Sequence, residues 1–380
     1  MMRRVLLIAY YHPPLGLSGV HRVVRFEKYL PEYGYEPVVL TPKPGAYYAY
    51  DDSLLVVKDV CFTESLDLLR ILRFFGVGQL TGGKARPKLL RWIEKEMGWI
   101  PFAIYKGYEV IKRKRIELIF ATSPPVTDLI IGAILKTLTG VPLVIDLRDP
   151  WVSNNWVKRW VYGVSDRIVV LDETFCKYVN GYDKVEVIPT PYDMTIEVPK
   201  TEIFSILYPG FIRKLAPTHT FIKGIDELID EGKIDSDKIE VNFVGHLEMP
   251  LPRRPYIKHH AYVPYHRIKR FYENSVLLLL LVGKCEPHFV ITCKLFEYMG
   301  MPHPVIVIAP RGVRARELVE KYGIGEGVDP DDIDGIKRLI LKYYNAFYSG
   351  GYLWRGTIER FHVTHVVGEL ASIFDKVVNR

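Results

Sequence analysis

The chain has 380 residues, a formal net charge of +7, and a composition in which 48% of the residues are hydrophobic. This length favours two or three domains over one, and the composition excludes a largely disordered or low-complexity chain. The charge excess is mild. It fits a polyanionic small ligand, an acidic membrane surface or nucleic acid, and it does not choose among them.

The four cysteines lack a CxxC spacing, and the 11 histidines form no HExxH pattern. We therefore predict reduced cysteines in a cytoplasmic protein, with neither a disulfide framework nor a metal site. The opening MMRRVLLIAYYHPP resembles a signal peptide, but no small-residue cleavage site follows it. A buried first strand is the better interpretation. The longest aliphatic run, 276–282, is too short to cross a bilayer.

Short apolar runs alternate with helical patterns along the first half of the chain. The predicted strands are 4–10, 36–41, 116–123, 142–147, 166–172 and 184–190, and the predicted helices are 18–34, ending at Gly34, and 125–140. Strand–helix–strand repeats of this kind imply a parallel sheet. A linker rich in Pro and Tyr follows at about 189–200.

The same rhythm restarts in the second half. Its predicted strands are 204–210, 239–245, 275–283 and 304–310, and its predicted helices include 334–349 and 356–379. We predict two doubly wound, Rossmann-like α/β domains over 1–195 and 196–355, with a C-terminal helix in 356–380 that crosses back to the first. Ligands bind such sheets at the carboxyl ends of the strands. With two domains facing each other, we expect the site in the cleft between them.

The first strand of the second half ends in LYPGFIRKLAP. Gly210 would let a ligand approach the backbone closely, and Arg213 and Lys214 would supply the two positive charges that a diphosphate needs. The alternative is a solvated loop that happens to be basic. Gly245 in FVGHL is a second glycine directly after a predicted strand. It could contact the ligand, and the alternative is a glycine that only forms a turn.

The segment EPHFVITCKLFEYMG predicts a loop that runs into a helix, and helix N-termini bind anions through free N–H groups. Lys294 would add a charge there, and Glu297, one turn on, could accept hydrogen bonds from two ribose hydroxyls. The alternative is an ion pair between these two residues on the helix surface, worth only a few tenths of a kcal/mol. The apolar neighbours of the glutamate favour the functional interpretation. The backbone N–H donors would come from Val290, Ile291 and Thr292.

In the first half, Gly16 and Gly19 lie in a loop that enters a helix, but they do not satisfy GxGxxG in its required context. The segment DLRDPW places Asp146, Arg148 and Asp149 after a predicted strand. Acid and base groups belong at such a strand end. The alternative is an Arg–Asp pair that braces the loop.

Taken in order, these segments resemble the family 4 glycosyltransferases, which have the GT-B fold. The resemblance covers nearly the whole chain, and the order and spacing of the motifs carry it more than any one motif. The residues that resemble the family's segments are YYHPPLGLSGVHRVVRFEKYLPEYGYEPVVLT, FATSPP with GVPLVIDLRDPW, VIPTPYD, KLFEYMGMPHPVIV and VDPDDIDGIKRLI. The second of these is similar to members that build cell-surface polysaccharides.

The resemblance implies a retaining hexosyl transfer from a nucleotide-diphosphate sugar, of UDP or GDP type, without a bound metal. Glu297 matches the second glutamate of the family's E-x7-E motif, which holds the ribose. Arg213 and Lys214 match the basic pair that stabilises the diphosphate leaving group. The chain departs from the motif at Phe289, where the first glutamate would stand. Either backbone N–H groups read the sugar hydroxyls, or Glu286 substitutes, or catalysis is impaired.

The histidine that the family often carries in the first domain is also missing. Arg148 and Asp149 occupy that neighbourhood. Asp149 is therefore our candidate for a polar contact to the sugar or the acceptor.

Residues 66–115 mix Leu, Phe and Trp with Arg and Lys. That composition suits an amphipathic helix on an anionic membrane, where it would bring the enzyme to a lipid-linked acceptor as a peripheral protein on the inner face of the cell membrane. The alternative is a helical excursion packed on the first domain, with Trp92 and Trp99 in its core. The basic run at 112–115 complements a helix C-terminus.

We thus predict a retaining glycosyltransferase that acts on a lipid-linked or cell-surface glycan acceptor. A sugar-nucleotide epimerase of the same architecture is the alternative in another enzyme class. A non-catalytic homologue that binds nucleotide or glycan is supported only by the absent first glutamate. We expect no nucleic-acid partner, because the charge is dispersed and no recognition module occurs.

Overall fold

The structure is a computed structural model, and it describes all residues except 1, 17, 47–48, 56–58, 77–95, 154, 180, 199–200, 353 and 380. The chain divides into two compact units. Unit 1 comprises Met1–Pro191 and Val363–Arg380, and unit 2 comprises Tyr192–His362.

Unit 1 contains a seven-stranded parallel sheet in the order β3-β2-β1-β4-β5-β6-β7. Its strands are β1 (Arg3–Ile8), β2 (Tyr35–Pro42), β3 (Val60–Thr63), β4 (Leu118–Ser123), β5 (Leu143–Leu147), β6 (Arg167–Val170) and β7 (Val185–Val187). Its first five helices are α1 (His21–Tyr29), α2 (Leu68–Phe74), α3 (Ile100–Lys114), α4 (Val126–Thr139) and α5 (Trp156–Val164).

Unit 2 contains a six-stranded parallel sheet in the order β10-β9-β8-β11-β12-β13. Its strands are β8 (Phe204–Pro209), β9 (Ile239–Val244), β10 (Ile257–His260), β11 (Leu277–Leu281), β12 (Val305–Ile308) and β13 (Gly325–Val328). Its helices are α6 (Thr218–Asp230), α7 (Tyr265–Glu273), α8 (Cys293–Met299), α9 (Arg314–Lys321) and α10 (Ile333–Tyr348).

The central strands are apolar throughout because helices cover both faces of a parallel sheet. Every residue of β11, a run of five leucines, is buried. In unit 1, α1 continues into a 3-10 turn that ends at Gly34 with φ +84°, a left-handed conformation that glycine adopts readily. The helix stop that we predicted at Gly34 is therefore confirmed.

The last helix, α11 (Val363–Val378), belongs to unit 1 although it follows unit 2 in the chain. Its Phe374 packs edge-on against Tyr35 and Phe120, with ring centroids 5.2 Å and 5.5 Å away. Asp375 accepts hydrogen bonds from Arg3 and from the Tyr35 hydroxyl. A strand pair at one end of the sequence is thus packed on its last helix.

The sheet order reverses between β1 and β4 in unit 1, and between β8 and β11 in unit 2. Ligands of doubly wound sheets bind outside the carboxyl ends of the strands at such reversals. The predicted fold class is confirmed by the two parallel sheets with their flanking helices. Among the helices of the described residues, none has the length and apolarity needed to span a bilayer.

Candidate functional site

Two glycines end neighbouring strands of unit 2. Gly210 follows β8 with φ +117°, and Gly245 follows β9 with φ +135°. A Cβ atom on Gly245 would lie 2.6 Å from the Gly210 carbonyl oxygen, and the Gly210 N–H donates to the Val244 carbonyl at 2.6 Å. Gly245 thus allows the two strand ends to pack together, which is a structural role; its contact with a ligand stays a prediction.

Lys294 lies over the end of β8. A Cβ atom on Gly210 would come within 3.2 Å of the Lys294 Nζ atom. That ammonium also lies 4.4 Å from the centroid of the Tyr208 ring and donates to its hydroxyl at 3.1 Å. Tyr208 is buried, and its hydroxyl donates to the Phe211 carbonyl at 3.2 Å. A buried tyrosine that the sequence analysis missed therefore fixes the cation beside the strand end.

Arg213 and Lys214 are both exposed on the loop that follows β8. The Arg213 Nη1 atom lies 2.7 Å from Glu286 Oε1, on the loop that follows β11. The pair therefore joins the two strand ends that flank the reversal of the sheet. The Lys214 backbone N–H donates to Glu248 at 2.7 Å. Because both cationic side chains are exposed, a polyanion could reach them.

The loop before α8 uses part of its predicted donor set internally. The Val290 N–H donates to the Pro287 carbonyl at 3.0 Å, so it is not a free donor for an anion. Thr292 caps α8 by position, and its Oγ1 atom is buried without a hydrogen-bond partner in the described residues. Ile291 lies between them and is half-buried.

Glu297 is half-buried on α8 and faces a tyrosine. The Tyr265 hydroxyl lies 3.3 Å from Glu297 Oε2 and 3.2 Å from Asp193 Oδ1. Lys294, one turn earlier, directs its ammonium to Tyr208, which differs from the surface ion pair that we weighed as the alternative. The apolar side of α8 packs inward through Leu295, Phe296, Tyr298 and Met299, all buried.

The far end of α8 is anchored by Arg355. Its Nε atom donates to the His303 carbonyl at 2.6 Å, and its Nη2 atom donates to the Tyr298 carbonyl. The Ile358 N–H donates to the Met299 carbonyl at 2.8 Å. Burial lowers the pKa of Arg355 to about 10, so the guanidinium stays charged at neutral pH. Nothing in the sequence pattern pointed to Arg355, because its role depends on contacts with backbone carbonyls.

In unit 1, Asp146 at the end of β5 is fully buried and bound to Arg22 of α1. The guanidinium donates to both carboxylate oxygens, at 3.0 Å and 2.8 Å, and the Thr122 hydroxyl donates at 2.7 Å. Arg22 also donates to the carbonyls of Ile188 and Pro189. Asp146 therefore has a structural role. It holds Arg22 in place, and Arg22 in turn joins α1 to residues 188–189.

Arg148 braces the loops at the same sheet edge through backbone carbonyls. It donates to Ser123 and Pro124, each at 2.8 Å, and to Gly19. The Gly16 N–H donates to the Ala49 carbonyl at 3.0 Å. Arg148 thus braces the loop, as the alternative interpretation proposed, but its partners are backbone carbonyl groups and not an aspartate. The N–H of Gly16 is consumed within unit 1.

Asp149 is the accessible acid of the three polar residues that follow β5. Its side chain is exposed. The surrounding protein still raises the pKa of its carboxyl by desolvation, and the Arg148 guanidinium opposes that shift.

The segment 66–115 is only partly described, and Trp92 lies outside the described residues. Trp99 is fully buried; its ring lies 5.7 Å from that of Tyr10, and its indole N–H donates to Thr63 at 2.6 Å. Trp99 is thus part of the unit 1 core, as expected if this segment packs on the first domain. Phe74 and Phe75 are 84% and 75% exposed.

The predicted site residues fall into two sets, one in each unit. Unit 2 gathers a cationic edge made of Gly210, Arg213, Lys214 and Lys294, with Glu297 one turn further along α8. In unit 1, Arg148 contacts Gly19 and Asp149 follows it in the chain, whereas Gly16 bonds to Ala49. Within the described parts of the chain, no group of three His, Cys, Asp or Glu side chains is placed to hold a metal ion.

No protein-family model matches the sequence, and no curated protein matches it. Solved structures do match its fold. The HepE protein of Anabaena in complex with UDP is 14% identical, with a TM-score of 0.52 over 98% of this chain and 95% of that one.

Two further structures of similar fold belong to two different enzyme classes. The UDP-GlcNAc 2-epimerase of Methanocaldococcus jannaschii is 10% identical, with a TM-score of 0.56 over 99% of this chain and all of that one. The glycotransferase of kitacinnamycin is 12% identical, with a TM-score of 0.52 over 99% of each chain. The chain therefore has the GT-B fold, on which both glycosyltransferases and epimerases of sugar nucleotides are built.

Proposed function

We propose that the protein is a retaining glycosyltransferase that moves a sugar from a UDP- or GDP-type donor to a lipid-linked or cell-surface glycan acceptor. One observation carries the proposal. The Lys294 ammonium lies 3.2 Å from the position of a Cβ on Gly210, and Glu297 follows one turn later on the same helix. A cation beside a side-chain-free strand end suits a diphosphate, and the carboxylate beyond it suits a ribose.

Arg213, Lys214 and Lys294 would act on the leaving group. As the acceptor oxygen bonds to the anomeric carbon, the bond from that carbon to the diphosphate oxygen breaks and negative charge grows on the diphosphate. Cations at the strand end stabilise that growing charge more than they stabilise the bound donor. Arg213, which Glu286 holds at 2.7 Å, would be shared between that carboxylate and the diphosphate.

Glu297 would accept hydrogen bonds from the two ribose hydroxyls. The Tyr265 hydroxyl lies 3.3 Å from one oxygen of the Glu297 carboxylate, and the ribose would bind to the other oxygen. Asp149, an exposed carboxylate on the loop after β5, would make the polar contact to the sugar or the acceptor in unit 1 and would take up the proton of the acceptor hydroxyl. No bound metal has a part in this scheme.

The acceptor side of the proposal includes a membrane. A lipid-linked acceptor requires the enzyme to reach an anionic membrane surface as a cytoplasmic, peripheral protein. Phe74 and Phe75 are strongly exposed at the end of α2, directly after Arg73. Aromatic side chains beside a cation are typical of segments that lie on such surfaces.

Epimerisation of a sugar nucleotide is the second candidate. The similarity of fold to the UDP-GlcNAc 2-epimerase favours it, because the same nucleotide site would serve both reactions. Phe289 in place of the first motif glutamate leaves room for a third outcome, a protein that binds the nucleotide without catalysis.

A thermal-shift screen with UDP, GDP, ADP, dTDP and CMP, without added metal, comes first. A diphosphate that binds only the folded state raises its stability, so a shift with one of them supports the site and identifies the base. NMR of the matching sugar nucleotide then separates the classes. A transferase releases nucleoside diphosphate and transfers or hydrolyses the sugar with retention, whereas an epimerase interconverts two sugar nucleotides. A folded protein that responds to none of them contradicts both.

A further inference from the structure

The loop after β5 displays apolar side chains that its own fold does not bury. Trp156, the first residue of α5, is 70% exposed, and Val152 is 62% exposed. Neither is needed to complete the core of unit 1. An exposed aromatic ring at the carboxyl edge of a parallel sheet lies within reach of a ligand bound at that edge.

Contacts with α5 hold two residues of this loop, Trp151 and Asn155. Trp151 is buried and packs edge-on against Tyr162 at 5.9 Å between ring centroids. The buried Lys158 donates from Nζ to the Trp151 carbonyl at 2.6 Å, and its N–H donates to the Asn155 side chain at 2.9 Å. Trp151 and Asn155 are therefore tied to α5, so Trp156 at the start of that helix is held in place before a ligand binds.

The same loop carries Asp149. It begins directly after β5, with Arg148 bound to the carbonyls of Ser123 and Pro124, and it ends at Trp156, where α5 begins. Both ends of the loop therefore lie at the carboxyl edge of the unit 1 sheet, which is where ligands of this class of sheet bind.

We propose that Trp156, at the end of the loop that also exposes Val152, is a platform on which a sugar ring of the acceptor stacks. This inference rests on the proposed function. A pyranose ring has a face of C–H bonds and a rim of hydroxyls. The C–H face packs on an aromatic face, whose negative charge attracts polarised C–H groups. The exposed polar residues Ser153 and Arg159 suit the hydroxyl rim. A lipid tail would need a wider apolar surface than these two side chains offer.

The test uses saturation-transfer NMR of the full-length protein with the methyl glycosides of glucose, galactose, mannose and N-acetylglucosamine. We expect ring C–H signals with at least one glycoside, reduced at least fivefold in Trp156→Ala and largely retained in Trp156→Phe. Leu138→Ala is the matched control. Leu138 is 55% exposed near the end of α4, at the opposite edge of the same sheet, and its loss should leave the signals unchanged.

The outcomes separate this inference from the proposed function. Unchanged signals in Trp156→Ala, or no signal with any glycoside for the folded wild type, overturn the platform. So does a Trp156→Ala variant that keeps the sugar signals but loses binding to vesicles of phosphatidylglycerol, because the occupant would then be lipid. The thermal shift with the nucleoside diphosphate that binds should be the same in wild type and Trp156→Ala. If both proteins respond to none of UDP, GDP, ADP and dTDP, the proposed function is contradicted, and sugar signals that still depend on Trp156 would then support the platform alone.

Discussion

The cations at the cationic edge of unit 2 differ in how firmly other side chains hold them. Lys294 is fixed by Tyr208, whereas the side chain of Arg213 is 65% exposed and pairs with Glu286. An exposed ion pair contributes at most about 1 kcal/mol to stability. Arg213 can therefore be removed without unfolding the protein, and its substitution tests chemistry and not folding.

We expect Arg213→Ala to lower kcat by about 100-fold or more while donor KM changes little, because the charge it neutralises grows in the transition state. Steady-state kinetics with the donor found by thermal shift provides the measurement. Arg338→Ala, at an exposed arginine of α10, is the control. A fall in kcat/KM that comes entirely from KM would mean that Arg213 binds donor and transition state equally.

Glu297→Ala should weaken nucleotide binding by roughly 10- to 100-fold, the loss of charge-assisted hydrogen bonds worth about 1.5–3 kcal/mol. Calorimetric titration with the nucleoside diphosphate measures it. Glu273→Ala removes an exposed glutamate of α7 that pairs with Lys269, and it should bind as the wild type does. Unchanged affinity in Glu297→Ala would remove the ribose role.

The sequence located Lys294 and Glu297 one turn apart on a short helix, and the structure places them there. It could not show that Lys294 turns to Tyr208, which lies 86 positions earlier in the chain. Helical spacing defines which residues of one element are neighbours. The direction of a long side chain depends on partners that another element brings to it.

At the scale of secondary-structure elements, the end of β8 touches the end of β9 through Gly245. Gly245→Ala would place a Cβ 2.6 Å from the Gly210 carbonyl oxygen at a backbone φ of +135°. We expect a loss of about 3 kcal/mol or more in the free energy of unfolding, together with weaker nucleotide binding. Urea unfolding and calorimetry measure the two effects.

Gly312→Ala is the control for that substitution. Gly312 also has a positive φ, +77°, but nothing lies within 4 Å of a Cβ there. Only the conformational cost of about 1 kcal/mol should appear. Equal losses in the two variants would mean that the contact with Gly210 has no special weight.

His303 links α7 to the chain that precedes β12. It is fully buried, and its Nε2 atom lies 3.0 Å from the carbonyls of Tyr272 and Ser275, so that nitrogen carries the proton. Burial lowers the pKa of His303 to about 4. The folded protein therefore keeps His303 neutral at pH values where the unfolded chain would protonate it. The stability that this gives to unit 2 is fully present above about pH 6.5 and is lost as the pH falls towards 4.

We expect the free energy of unfolding to fall between about pH 6.5 and pH 4 by up to about 3 kcal/mol from His303 alone, because the unfolded chain takes up a proton that the folded chain refuses. In His303→Gln, which keeps an N–H donor, the fall over this range should be shallower than in the wild type. Urea unfolding at pH 7, 6, 5 and 4.5 compares them. Parallel curves would show that another group governs the acid loss.

Edge strands mark the limit of what the sequence predicted at this scale. The central strands appear as aliphatic runs because both their faces are covered. The unpredicted strands β3, β10 and β13 lie at sheet edges. Their sequences, VCFT, IKHH and GEGV, are largely half-exposed, so they lack the apolar run that signals a buried strand.

At the scale of the whole molecule, the chain leaves unit 1 at Pro191 and returns to it at Val363. Two buried arginines of α1 hold the point of departure, since Arg22 donates to Pro189 and Arg25 donates to Pro191. Unit 1 is therefore complete only when the last 18 residues have been added. We predicted that the last helix crosses back to the first domain, but the pattern of strands and helices does not identify the contacts that dock it. Those contacts join residues more than 300 positions apart, such as Tyr33 and Thr364.

This arrangement predicts where damage to α11 will be felt. Phe374 is fully buried against Tyr35 and Phe120, so Phe374→Ala should cost about 3–5 kcal/mol. Hydrogen exchange read by mass spectrometry should show lost protection in β1, β2 and β4, with β11 of unit 2 unchanged. Tyr105→Ala, which removes a ring that is 78% exposed on α3, should alter neither unit. Protection lost first in β11 would mean that α11 stabilises unit 2, contrary to its place in the core of unit 1.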